Sequence, residues 1–354
     1  MSDENGVVMK RRMLASLATV VCAASTTSFA QAPPAPNAAF DVYLSQEASV
    51  RLEDGRSLHL VCMGAGSPTV ILSAGAGSWS VTWARVQGEL ATLTRACAWD
   101  RPGFGFSSAS PMPQNVVNTT MDLEAALSRG GVEGPYVMVG HSLGGHESLI
   151  FADRHRSSVA GMVLVDPGIP DHWARIGRSA PAILKVNHEI WPRQAAELRQ
   201  CARVVRFEAD SAEADRCRRI GVSPNYSKPL SDALIQWSAD PARFETRASL
   251  VENSELHSRL ALNPDRDYGS MPLIVLSSTI PDTPPPDPPE RRATLLAETP
   301  RAMAEMFKGH EELAALSRMG VHRSVPDVGH FIQTAKPEVV TAAVAEIVQA
   351  VRAH

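Results

Sequence analysis

Residues 49–62 alternate apolar and polar side chains on either side of Asp54 and Gly55, which predicts two half-buried strands joined by a two-residue turn. After a Gly/Pro break at 64–68, residues 69–73 form a short apolar run that ends in the glycine-rich turn 74–77. Trp83, Val86, Leu90 and Leu93 then recur at helical spacing. The runs 96–99, 136–139 and 162–165 are apolar without alternation, and helical patterns near 116–127 and 143–155 separate them. Strands buried on both faces lose their alternation, so the pattern is that of a parallel sheet covered by helices on both sides.

The pattern breaks after Asp166. Residues 167–270 read mainly as helices and loops, with Trp173, Trp191 and Trp237 among them. Apolar strand runs return at 273–276 and near 323–325, with the Pro-rich tract 281–289 between them as a stiff surface loop. A last helix is predicted from Pro337, burying Val340, Val344, Ile347 and Val351 on one face. The predicted organisation is an α/β core in two parts, 49–166 and 271–354, interrupted by a helical cap at 167–270.

The first residues have a different character. Lys10, Arg11 and Arg12 precede a mostly apolar, small-residue stretch at 13–29, and Ser28 and Ala30 suit a cleavage site. Residues 1–30 are therefore expected to be a signal peptide and 31–48 a Pro-rich linker. A membrane anchor is the alternative, but the apolar run is short and broken by Ser16, Thr19 and the residues 25–28. The expected location is periplasmic or extracellular, with no stable membrane insertion after cleavage.

Composition removes several classes of function. Of 354 residues, 44% are hydrophobic and 20% charged, with a formal net charge of −4. No strong positive field exists to recruit nucleic acid or an anionic membrane, and neither is expected as a partner. No Cys/His spacing suggests a metal, and no cofactor is expected. Beyond residue 30 stand Cys62, Cys97, Cys201 and Cys217, which allow three pairings in an oxidising compartment.

The strongest chemical signal is Gly140-His141-Ser142-Leu143-Gly144, a G-x-S-x-G between an apolar strand and a helix. A sharp strand-to-helix turn lifts the Ser142 hydroxyl above the sheet, and glycines two positions either side avoid a clash. The Leu143 N–H at the helix start can stabilise an oxyanion. A serine nucleophile needs a base, and His330, between a strand and the last helix, is the candidate; His310 and His322 compete from a helix and a strand. His141 and His146 are expected to pack away from the hydroxyl. For the acid, Asp166 at the carboxyl end of a strand is the first candidate and Asp282 the alternative. The turn 74–77 supplies a second oxyanion donor, assigned to the Ala76 N–H.

Ser-Ala-Gly-Ala-Gly, Asp-Arg-Pro-Gly-Phe-Gly, Gly-His-Ser-Leu-Gly-Gly, Leu-Val-Asp-Pro and Val-Gly-His-Phe, in this order, resemble the α/β-hydrolase superfamily, in particular its capped esterase/lipase-like serine hydrolases. The resemblance covers about 49–351. It implies an eight-stranded, mostly parallel sheet with a helical cap after the sixth strand. It also implies an acid after the seventh strand, favouring Asp282, or in some members after the sixth, favouring Asp166. Asp100 and Arg101 receive a structural role. Cys62 and Cys97 would lie on neighbouring strands, leaving Cys201 to pair with Cys217. The implied reaction is hydrolysis of a small, apolar ester through an acyl-enzyme on Ser142. An amidase or aminopeptidase, using the acidic Asp210, Glu213 and Asp215 to hold an amine, is the alternative, as is a non-catalytic binding protein on the same scaffold.

Overall fold

The hairpin forms where the alternation places it: β1 (Ser49–Arg51) and β2 (Ser57–Met63) pair antiparallel, with Val50 opposite Leu58. The computed structural model describes residues 38–281 and 289–353. The expected signal peptide, the first part of the linker, Asp282 and most of the Pro-rich tract lie outside them. The remaining strands are β3 (Thr69–Ser73), β4 (Ala96–Trp99), β5 (Tyr136–His141), β6 (Val159–Val165), β7 (Leu273–Ser278) and β8 (Gly320–Val325). They form one eight-stranded sheet in the order β1-β2-β4-β3-β5-β6-β7-β8. Only β1 and β2 run antiparallel to their neighbours; β3 to β8 pair in parallel.

Every residue of β3, β4 and β7 is buried, which is why their sequences show no alternation. Successive side chains feed two separate cores. Val70, Leu72, Val137, Val139, Val163 and Val165 pack on one face, with Val86 and Leu90 of α1 (Ala84–Ala91). Ile71, Met138, Met162 and Leu164 pack on the other, with Leu123 and Leu127 of α2 (Val116–Arg129) and Leu149 of α3 (Leu143–Arg154). Each such aliphatic side chain, fully removed from water, contributes about 1.5–3 kcal/mol. Leu93, expected on the α1 face, is 40% exposed because the helix ends at Ala91.

Between β6 and β7 the chain is helical: α4 (His172–Ser179), α5 (Pro181–Phe207), α6 (Ala212–Arg218), α7 (Lys228–Trp237), α8 (Pro241–Glu252) and α9 (Ser254–Leu260). Disulfides join Cys62 to Cys97, directly opposite on β2 and β4, and Cys201 to Cys217, linking α5 to α6. After β7 comes a long helix, α10 (Pro289–Ala314), with Pro300 within it. Short α11 (Ile332–Ala335) precedes α12 (Pro337–Arg352), which buries Val340, Val344 and Ile347 and leaves Val351 half-buried. No described helix is long and apolar enough to cross a membrane.

The second part of the stretch read as a linker is tied to the core. Residues 38–48 form 3-10 turns in which Tyr43 is fully buried and donates to Gln87 Oε1 at 2.8 Å. Gln87 in turn donates to the carbonyls of Val61 and Ala96 at 2.7 and 3.0 Å. The long-range partner explains the difference, since nothing local in a Pro-rich sequence signals it.

Candidate active site

Ser142 sits between β5 and α3 at φ 52° and ψ −115°, a conformation that costs a non-glycine residue about 1–3 kcal/mol. The surroundings enforce it. The Ser142 carbonyl accepts from the amides of Gly145 at 2.9 Å and Gly168 at 3.0 Å. A Cβ on Gly144 would stand 2.2 Å from the Ser73 carbonyl oxygen, and one on Gly140 would stand 2.2 Å from that of Gly144. The Gly144→Ala variant is accordingly expected to lose roughly 3 kcal/mol and about 5–10 °C in Tm through forced separation of α3 from β3. Differential scanning calorimetry checks this; an unchanged Tm would show that the elbow is looser than described.

Ser142, Asp166 and His330 line one cavity of about 370 Å³, together with Ala76 and Leu143, the two expected oxyanion donors. His330 Nδ1 and Asp166 Oδ2 are 2.7 Å apart. The carboxylate also accepts from the Ser278 amide at 2.8 Å and the Ser278 hydroxyl at 3.0 Å. Burial pushes the Asp166 carboxyl upward, but the hydrogen bond and charge of His330, with the Ser278 amide, outweigh it and hold it below the usual carboxylate value. The structure therefore brings Asp166 to His330. Asp282 lies outside the described residues.

His310, which lines the cavity, and His322 make other contacts. Both approach the Ser277 hydroxyl, at 2.5 and 2.6 Å, and His310 Nε2 donates to the Pro167 carbonyl at 2.9 Å. Neither bonds Asp166 among the described residues. His141, expected only to pack away, instead donates through Nε2 to the His330 carbonyl at 2.9 Å, its ring 4.6 Å from that of His330. It fixes the backbone that carries the base candidate. His146 is buried and lines the cavity.

Sequence reasoning missed how the turn 74–77 is held. Arg101 donates to the Gly75 carbonyl at 3.1 Å and to the Ala74 carbonyl, and its guanidinium is paired at 2.6 Å with fully buried Glu147. Thr119 donates to the same carboxylate at 2.7 Å. With those two carbonyls fixed on Arg101, the following Ala76 has its place at the cavity wall. The Asp-Arg-Pro-Gly motif marks Arg101, whereas the partner Glu147 is a helix residue with no local signal.

The cavity wall combines aromatic and aliphatic side chains with imidazoles. Trp173 and Trp191 line it, but Trp237 does not and is 41% exposed. One wall is Met303, Met306 and Phe307, from α10 rather than from the insertion. Buried imidazoles supply another: desolvation pulls His146 down to about 3 and His257 down to about 4, so both are neutral at pH 7. Asp210, Glu213 and Asp215 do not line it; Glu213 and Asp215 pair with Arg216 and Arg219 on the surface of α6.

These histidines make stability pH-dependent. Burial first, and the charge of His330 second, pull His141 to about 3, and an unfolded histidine titrates near 6.5. Below pH 6.5 the unfolded chain binds protons that folded His141, His146 and His257 refuse. Stability present above pH 6.5 is thus lost as pH falls, by about 1.4 kcal/mol per unit for each of them. A Tm that declines steeply from pH 6.5 to 4.5 is the expected result; a flat profile over that range would contradict the buried, neutral assignment.

Comparison with known proteins adds a family. The sequence profile of the alpha/beta hydrolase family matches residues 64–343. Over 84 residues the chain is 48% identical to an uncharacterized protein of Schizosaccharomyces pombe, a match covering 23% of this chain and 16% of that protein. The chain thus spans less than a fifth of that relative's length. It is 26% identical to the lipase LipV of Mycobacterium tuberculosis over 81% of this chain and 96% of that one. Among solved structures, a thermophilic esterase from Thermogutta terrifontis superposes with a TM-score of 0.52 at 22% identity, covering 86% of this chain and 98% of the other.

Proposed function

We propose, from the premise that this chain belongs to the alpha/beta hydrolase family, that it is an exported serine hydrolase that cleaves carboxylic esters. The observation that carries the reading is the strained turn that holds Ser142 in the same cavity as His330, whose ring is hydrogen-bonded to Asp166.

In this mechanism the Ser142 hydroxyl oxygen attacks the ester carbonyl carbon as His330 takes its proton. Asp166 accepts the Nδ1–H, which leaves Nε2 as the base and stabilises the imidazolium that forms. The Ala76 and Leu143 amides hold the developing oxyanion at the start of α3. His330 returns the proton to the departing alcohol, and the acyl group stays on Ser142. Water then attacks the acyl-enzyme by the same route, with His330 as base again. The helices between β6 and β7 act as a cap over the cavity, and α10 completes its wall. Export by a signal peptide at 1–30 agrees with the two disulfides, which persist in oxidising compartments.

A panel of p-nitrophenyl esters of increasing acyl length, run beside the matching p-nitroanilides, tests the reading. The expected result is turnover of the esters whose acyl groups fit the cavity, with the anilides far slower. Anilides cleaved as fast as esters would move the assignment to an amidase, and inert esters would end it.

A further inference from the structure

A second cavity, of about 420 Å³, has Gly77, Ser78 and Phe331 in its wall, next in sequence to Ala76 and His330. It shares no lining residue with the cavity that holds Ser142. Arg85, Arg243 and Arg247 line it, and no aspartate or glutamate does among the described residues. Asp100 and Asp240 offset part of the charge of Arg243 from outside the wall, while the guanidinium of Arg247 has no carboxylate partner among the described residues, so an anion in this partly enclosed space is favoured.

The two inner arginines are incompletely used. Arg243, 4% exposed, gives its two terminal nitrogens to the carbonyls of Ser107 and Gly105 and leaves Nε without a partner. Arg247 lies over the rings of Phe104 at 5.3 Å and Phe244 at 5.7 Å, and its guanidinium makes no hydrogen bond or ion pair among the described residues. Burial lowers both to about 10, and for Arg243 the neighbouring charge of Arg247 adds to it, so both remain cationic at neutral pH. Arg85, on the exposed side, reaches the Thr334 carbonyl at 3.3 Å. The rings of Phe40, Trp79, Phe104 and Tyr226 also line it, among small, polar and aliphatic residues.

We propose that this cavity binds a small organic anion, a carboxylate or phosphate carried on an aromatic or otherwise apolar body. The guanidinium of Arg247 supplies a planar fork that matches either oxyanion, and the rings receive the body. The site stands whether or not Ser142 cleaves esters.

Isothermal titration calorimetry of the full chain with phenyl phosphate and benzoate, and with uncharged phenol as the comparator, tests it. At least one anion should bind with a Kd below about 1 mM, while phenol binds at least tenfold more weakly. Arg247→Gln should weaken the anion at least about tenfold, and Arg85→Gln, at an exposed position that leaves folding intact, by a smaller factor. Absence of anion binding up to 10 mM, phenol binding as tightly as the anions, or anion affinity unchanged in both variants would each overturn the proposal.

Discussion

The Ser142→Ala variant is expected to lose roughly 10⁵- to 10⁶-fold in kcat on p-nitrophenyl esters while KM moves little. The side chain at 142 stands on a turn at φ 52°, and the flanking glycines leave no room for the strand and helix to relax. Removing the hydroxyl deletes the proposed nucleophile without disturbing the frame, because the contacts that set the turn are made by the Ser142 carbonyl and the flanking glycines. Steady-state kinetics with a Tm control measure it. A variant retaining a tenth of the activity would mean that another group attacks the substrate.

The second large effect separates the two acid candidates. Asp166→Asn should lower kcat about 10⁴-fold, while Asp282→Asn changes it no more than about twofold. Asp166 accepts from three donors, the His330 ring and the amide and hydroxyl of Ser278. An asparagine has one oxygen and an NH₂ group, so whichever way it turns a donor faces a donor. Either His330 loses the tautomer that leaves Nε2 free, or the end of β7 at Ser278 loses its bond to residue 166, just after β6. Measuring both variants on one ester decides the matter; equal and small effects would remove Asp166 from the mechanism.

Much of this arrangement was legible in local sequence, and the reasons are physical. The strand-to-helix turn at Ser142 must be written within a few residues, since Gly140 and Gly144 are needed at fixed offsets by contacts as short as 2.2 Å. The sheet was legible because strands buried on both faces must be apolar throughout. The acid was ambiguous because the end of β7 carries Ser277 and Ser278 where the resemblance places an aspartate after a glycine. The structure gives these serines other work: Ser278 steadies Asp166, and Ser277 bridges His310 and His322.

What escaped depends on partners far apart in the chain. Glu147 beneath Arg101, His141 under the His330 carbonyl, and Tyr43 on Gln87 leave no periodic trace. The wall from α10 did leave one, because Met303, Met306, Phe307 and His310 follow the spacing of a single helix face and all line the cavity. The proline-rich tract before it and Pro300 within it obscured that stripe. The buried imidazoles of the cavity come from α3, α9 and α10, and only folding gathers them beside its apolar side chains.

Labelling of the folded protein with a fluorophosphonate probe, followed by peptide mapping, addresses the central claim most directly. The account predicts a single adduct on the Ser142 oxygen, lost on unfolding and greatly slowed in Asp166→Asn. An adduct at another residue, or active protein that stays unlabelled, would contradict it.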